Sequence, residues 1–324
     1  MRCVPALGPL AAFALGAALA LATSAAAAPG ERRPFPPAGL PTPNAVCYGP
    51  HRDGQRPGAA EPTAAQLRQD ARLLRDHWPL LRIYGAGGFA PTLLDVLRQE
   101  GGRPLVVLGV WIAPDDSTAN RAEIEAAVRL AAAYPDLVVA VCVGNETQVS
   151  WSAHRCEPAV LLAALREVRA RVAVPVTTAD DFNFWNKPES AAVAAEIDFI
   201  LLHAHPLWNG RQCDEALPWL QAQLADAQAR HAGVPVFIGE TGWATRRHTE
   251  GEQATLMKGV LGEPEQARFH AELRAWADSV GVTTFCFEAF DENWKGGAHP
   301  DEVEKHWGLW RSDRSPKLAA PAAE

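Results

Sequence analysis

The sequence predicts an α/β chain whose single domain is a closed (β/α)8 TIM barrel, and three observations carry that expectation. Eight short apolar runs alternate with charged, Ala/Leu-rich stretches of helical period between residues 44 and 314. Several runs are continuous in Val, Ile and Leu, as strands buried on both faces of a parallel sheet require. Polar and aromatic residues gather directly after the runs, where a barrel builds its site from the loops at the C-terminal face.

The elements follow in order. Strands are expected at 44–48, 80–84, 105–112, 137–143, 173–177, 197–203, 234–238 and 282–287. Helices are expected at 63–75, 90–99, 119–133, 158–171, 188–195, 216–231 and 264–278. The first of these follows Pro62-Thr63 and places Leu67, Ala71 and Leu74 on one face. An open doubly wound sheet is the competing arrangement, but no GxGxxG or phosphate-loop pattern joins a strand to a helix. Gly85-Ala86-Gly87-Gly88 resembles a phosphate cradle only loosely and reads as a tight turn opening a helix.

The ends are separate matters. Residues 1–28 have the form of a secretory signal peptide: Arg2 is the only charge before an Ala/Leu-rich stretch, and small residues from Ser24 to Ala28 offer cleavage sites. A secreted or periplasmic protein is expected, with a retained N-terminal anchor as the alternative and no membrane contact for the mature chain. Residues 29–43 are Pro-rich, a linker or a wrapped extension, and residues 315–324 form a Pro/Ala-rich tail expected to be disordered.

Net charge is -8 and no basic block occurs, which argues against nucleic acid and for a neutral polymer or small molecule. Of six cysteines, Cys3 lies in the leader, so at least one of the remaining five stays unpaired in a monomer. Cys47, Cys142 and Cys286 sit in apolar runs and read as buried small hydrophobes. Cys156 and Cys213 lie in polar segments and form the candidate disulfide.

Seven strand ends carry chemistry. They offer Tyr84; Trp111; Asn145 and Glu146; Asp181; His205 and Trp208; Glu240 and Trp243; and Glu288, Phe290, Glu292, Trp294 and Lys295. Glu146 and Glu240 each follow a highly apolar strand, three positions apart around a ring of eight, so they face one another across the mouth. Glycosidic cleavage needs such a pair, one neutral acid and one ionised partner. Topology gives no distance, so the stereochemical outcome does not follow from it. Eleven tryptophans supply flat faces for pyranose rings, although Trp307 and Trp310 read as covers for the barrel top.

The segments VCVGNE (141–146), IGETGWAT (238–245) and FEAFDENWK (287–295) resemble glycoside hydrolase family 17, the β-1,3-glucanase and glucanosyltransferase barrels. CYGPHRDGQRPG (47–58), IYG (83–85) and HAHPLWNG (203–210) are similar to its bacterial and fungal branch, and the likeness spans Asn44 to Trp310. The resemblance implies Glu146 as acid/base, Glu240 as nucleophile, and retention through a glycosyl-enzyme. It implies Asn145 at the sugar 2-hydroxyl and Tyr84 near the nucleophile. Glu288, Glu292 and Lys295 would fix loop geometry or grip hydroxyls. Ala244 replaces the proline that plant members carry after Gly-Trp. Transfer to a second glucan is the alternative outcome of the same intermediate.

Two other classes compete. His203 and His205 share a face of their strand, as metal-binding pairs do, with His154, Asp181 and Glu240 as further ligands. A glycan-binding protein on a decayed barrel would have lost a carboxylate, and both are present. The favoured reading requires no metal and no cofactor, takes a β-glucan as its partner, and describes a monomer.

Overall fold

The computed structural model describes residues 31–40 and 44–321. Strands β1 (Asn44–Cys47), β2 (Leu80–Arg82), β3 (Leu105–Val110), β4 (Val138–Asn145), β5 (Val176–Asp181), β6 (Phe199–His203), β7 (Val236–Thr241) and β8 (Thr284–Cys286) lie in sequence order. Each pairs in parallel with the next, and β8 pairs back with β1, so the sheet closes into the expected barrel. Helices α1 (Ala64–Leu74), α2 (Ala90–Gln99), α3 (Ser117–Ala133), α4 (Pro158–Arg171), α5 (Phe182–Trp185), α6 (Ser190–Ala194), α7 (Cys213–Arg230), α8 (Gly251–Leu256) and α9 (Glu263–Val280) fill the connections. No described helix is long and apolar enough to cross a membrane.

Local chemistry sets these boundaries. Thr63 and Gln66 form a reciprocal capping box that starts α1, and Gly281 in the left-handed region ends α9. All six residues of β3 are buried, each large apolar side chain contributing about 1.5–3 kcal/mol by leaving water. Gly109 is needed there because a Cβ would collide with the Tyr84 backbone.

The strand limits differ from expectation in one systematic way. β5 was expected at 173–177 and runs to Asp181; β7 was expected at 234–238 and runs to Thr241. The upper part of each strand is polar because it lines the barrel mouth, so apolar patterning stops short of the true end. Glu240 is therefore a strand residue.

The described part of the Pro-rich segment is a wrapped extension across the barrel bottom. Phe35 stacks on Phe199 with centroids 4.1 Å apart, and the Arg33 amide donates to Asp198 at 2.8 Å. The glycine-rich turn after β2 holds the chain's own carboxylate: Ala86 and Gly87 amides donate to Glu123 at 2.8 and 2.9 Å.

Two expectations are corrected. Residues 315–321 are packed rather than disordered: Lys317 is buried and donates to Asp291 at 2.7 Å, and Trp310 bridges to both Phe290 and Pro316. Just before them, Arg314 donates to Asp70 at 2.9 Å and to the Pro50 carbonyl at 2.7 Å. Composition flagged the prolines and alanines but not the buried carboxylates waiting for these cations. Residues 322–324, like the leader, lie outside the described residues.

Cys156 and Cys213 are not bonded; all five described cysteines are free and buried. Cys156 sits in the loop after β4 beside Gln148, whereas Cys213 opens α7 and faces the Glu265 carbonyl. Burial raises both thiols above their ordinary value and pushes Cys47 up to about 12. Native protein at pH 8 should therefore leave these five thiols unmodified by iodoacetamide, with full labelling after denaturation, as read by intact mass.

Candidate active site

Four strands converge on one carboxylate. Glu240, on β7, accepts from Arg82 Nη1 at 2.6 Å and from Tyr84 Oη at 2.9 Å, both from β2 and its end. His203 Nε2 and His205 Nε2, on and beside β6, each lie 3.4 Å from a Glu240 oxygen. Arg82 Nη2 also donates to Asn145 Oδ1 at 2.6 Å, so one guanidinium ties β7 to the end of β4. Gly239 allows this closeness: a Cβ there would lie 2.8 Å from Leu201 Cβ and 3.0 Å from His203 Cδ2.

Glu146 follows β4 on a sharp turn. Gly144 has φ 78° and Glu146 itself φ 49°, a left-handed conformation that costs a non-glycine residue about 1–3 kcal/mol. Its amide donates to Ala179 at 2.9 Å and its Oε1 meets His203 Nδ1 at 3.0 Å, which holds the turn. The turn projects a half-buried carboxyl towards Glu240, which is nearly enclosed.

Burial alone would raise Glu240, but the neighbouring His203, His205 and Arg82 outweigh it and hold the carboxyl well below the usual range. Arg82 shows the converse: burial opposes its charge, and the carboxylate of Glu240 beside it restores it. One oxygen of Glu146 and one of Glu240 lie within 4.8 Å of each other, with a His203 nitrogen equally near. Those three atoms have the spacing of a metal cluster. Arg82, already on the Glu240 oxygen, supplies the positive charge that a cation would bring. His205 turns to Glu240, His154 packs on Trp111 at 4.3 Å, and Asp181 accepts from Asn183, so the wider ligand set expected from the sequence does not assemble.

The β8 loop forms a second charged group. Lys295 donates to Glu288 at 2.6 Å and lies 2.9 Å from Glu292, and Glu292 also accepts from Trp294 Nε1 at 2.9 Å. Burial raises Glu288 well above its ordinary value, while Lys295, His51 and Trp294 overcome burial and lower Glu292. A Cβ on Gly49 would collide with the Glu292 carboxylate. Trp294 is 39% exposed and Trp208 half-buried, so both keep faces open to solvent.

Two expected sugar contacts are corrected. Trp243 is fully buried, donates to the Val260 carbonyl at 3.0 Å and packs on Phe269. Phe290 is fully buried against Tyr48 and Trp310, with the Arg314 guanidinium 4.0 Å over its ring. Both side chains turn away from the cleft into the barrel's outer core.

Asp181 caps α5 through the Asn183 amide at 2.9 Å, and burial pushes its carboxyl up to about 7. The folded state therefore binds a proton that the unfolded chain releases near pH 4, so stability falls as pH rises from about 4 through 7. Asp181→Asn should raise the melting temperature at pH 8 by several degrees and flatten its slope between pH 5 and 8, measured by scanning calorimetry.

Sequence reasoning missed Arg82, His51 and Glu304. Arg82 carried a signal: a lone cation inside the apolar run LLRIY, two residues before Tyr84 and thus on the same face. His51, 3.3 Å from Glu292, comes from an irregular loop, and Glu304, whose charge interacts with Lys295 and His205, comes from the short 3-10 helix Val303–Lys305; patterning places neither.

Known proteins resemble this chain over most of its length. A glucan 1,3-beta-glucosidase of Arthroderma benhamiae is 29% identical over 287 residues, covering 82% of this chain and 87% of that protein. One from Schizosaccharomyces pombe is 28% identical, covering 76% and 78%. An endo-laminarinase from Formosa Hel1_33_131 superposes with TM-score 0.74 at 24% identity, over 84% of each chain. A glycoside hydrolase family 17 beta-1,3-glucanosyltransferase from Rhizomucor miehei superposes with TM-score 0.71 at 24% identity, over 86% of this chain and 97% of that one. The resemblance noted from the sequence motifs holds. Residues 45–308 match the family model in full sequence order, and the chain belongs to the BtgE/BtgC glycoside hydrolase domain family.

Proposed function

We propose that the protein cleaves β-1,3-glucan by double displacement with retention, Glu240 acting as nucleophile and Glu146 as acid/base. The observation that carries this reading is that one oxygen of each carboxyl lies within 4.8 Å of the other, with the buried carboxyl held ionised by His203, His205 and Arg82. Retaining sites separate their carboxyls by roughly 5–5.5 Å, inverting sites by roughly 6.5–9.5 Å to admit water. The names of the relatives, glucan 1,3-beta-glucosidase and endo-laminarinase, support β-1,3-glucan as the substrate class.

In the first half-reaction a Glu240 oxygen bonds to the anomeric carbon as the glycosidic C–O bond breaks, and the Glu146 proton passes to the departing oxygen. In the second, Glu146 takes a proton from water, whose oxygen bonds to that carbon as Glu240 leaves as carboxylate. Asn145 Oδ1 is occupied by Arg82, which leaves its Nδ2 as a donor for the sugar 2-hydroxyl. Tyr84 steadies Glu240, and His205, Trp208, Trp294 and Lys295 present polar and flat faces to neighbouring sugars.

Transfer rather than hydrolysis is a second reading, supported by the half-open faces of Trp208 and Trp294, on which an acceptor sugar could stack in place of water. The mature chain then acts as a monomer outside the cytoplasm, a reading supported by the signal-like leader. Anomeric NMR during turnover of laminarioligosaccharides tests the mechanism: the first product should carry the β configuration, and an α product would overturn retention. Chromatography of the same mixtures separates the outcomes, since only transfer yields products longer than the substrate.

A further inference from the structure

His203 is fully buried at the end of β6, with its ring between the two carboxyls: Nδ1 is 3.0 Å from Glu146 Oε1, and Nε2 is 3.4 Å from Glu240 Oε1. A ring nitrogen and a carboxylate oxygen at 3.0 Å need one proton between them, because two facing lone pairs repel. Glu240 is held ionised, so the hydrogen of a neutral ring is best placed on Nε2, facing that charge. Nδ1 is then bare, and the proton between it and Oε1 is the carboxyl proton of Glu146. A doubly protonated ring would carry that same proton on Nδ1. Both arrangements hold one transferable proton on the Glu146–His203 unit beside an ionised Glu240.

We propose that His203 is a positioning residue for the acid step, turning Nε2–H to Glu240 and keeping one proton on the Glu146–His203 unit before substrate arrives. The inference rests on the roles given above to Glu146 and Glu240. When the glycosidic bond breaks, this proton leaves on the departing oxygen, and Glu146 becomes a carboxylate beside a bare Nδ1. Their repulsion makes Glu146 more basic when it must take a proton from water, and that proton restores the starting unit.

The charged and titratable surroundings fit this assignment. Arg82 from β2 and Tyr84 just after it bind Glu240, and His205 lies beside it from the loop that follows β6. Asp181 is the register partner of His203 on β5, and Cys47 lies behind Gly239. Glu304, in the 3-10 helix Val303–Lys305, faces both His205 and Lys295. Among the described residues, Glu146 hydrogen-bonds His203 Nδ1, while Nε2 has no hydrogen-bond partner and lies 3.4 Å from Glu240 Oε1.

The test compares wild type, His203→Leu, His203→Asn and Glu146→Ala on laminaripentaose and on 2,4-dinitrophenyl β-laminaribioside, whose leaving group needs no proton. His203→Leu should move the alkaline limb of kcat/KM on laminaripentaose to lower pH by about one unit. Its kcat/KM should fall about 10- to 100-fold on laminaripentaose at neutral pH and less than about threefold on the dinitrophenyl substrate, since kcat/KM excludes the water step. His203→Asn, whose carbonyl can accept the Glu146 proton, should shift the limb less. Equal losses on both substrates, or an unmoved limb, would overturn the proposal. A measurement on wild type needs no variant to fold: imidazole 15N NMR should show His203 protonated at Nε2, and a neutral ring bare at Nε2 would overturn it. Glu146→Ala separates the two levels. If it shows no dependence on leaving group, the acid assignment has failed; if it does and the His203 variants do not, the role of His203 alone has failed.

Discussion

Glu240→Gln should lower kcat on laminarioligosaccharides by on the order of 10⁴-fold or more, because no carboxylate remains to form the glycosyl-enzyme. The protein should still fold. The amide oxygen can accept from Arg82 and Tyr84, although a buried cation loses its counter-charge, at about 3 kcal/mol in the melting curve. Glu240→Ala goes further, leaving Arg82 Nη1 with only the Gly239 carbonyl at 3.3 Å, and should melt lower than the Gln variant. Added azide gives the decisive readout. With the space of the lost side chain open, it should attack the dinitrophenyl substrate from that face and yield an α-glycosyl azide. A β-glycosyl azide would place the nucleophile elsewhere.

Arg82→Met should follow closely, with kcat/KM down by about 10²- to 10³-fold, since one guanidinium both holds Glu240 ionised and fixes Asn145. A pH profile gives the sign. With Arg82 present, Glu240 stays ionised to low pH, and its contribution to stability is lost only as pH falls through that depressed value. Without Arg82 the carboxyl rises towards its ordinary range, so the acid limb of kcat/KM should move to higher pH. Arg82→Lys should recover part of the charge effect but not the bridge, because a single ammonium cannot reproduce the two-armed geometry. An acid limb unchanged in the Met variant would show that Arg82 does not set the Glu240 ionisation.

The architecture was legible because its period is coarse: eight apolar runs with helices between them survive errors of two or three residues at each end. Strand ends were less legible for a physical reason. β5 and β7 become polar where they reach the mouth, so Asp180, Asp181, Glu240 and Thr241 read as loop although they are strand. The two carboxyls were visible because each stands alone after an apolar run. Their supports were not. Arg82 lies inside such a run, and whether a strand cation faces the barrel interior or the helices depends on a register that apolar patterning does not fix. Trp243 and Phe290 show the opposite error, since residues just past a strand can turn into the outer core as readily as into the cleft. Cys156 and Cys213 were paired by compartment and loop composition, and neither says which loops meet.

Arg314 and Lys317 have a consequence for how the barrel comes into being. Their partners, Asp70 on α1 and Asp291 after β8, lie on the two sides of the seam where the first and last strands meet. The ring therefore has a clasp built from residues that follow the last strand, and an emerging chain can form neither the β1–β8 contact nor the clasp until all eight strands are available. Such long-range closure slows folding. The last step of assembly thus waits on side chains that lie beyond every strand of the ring.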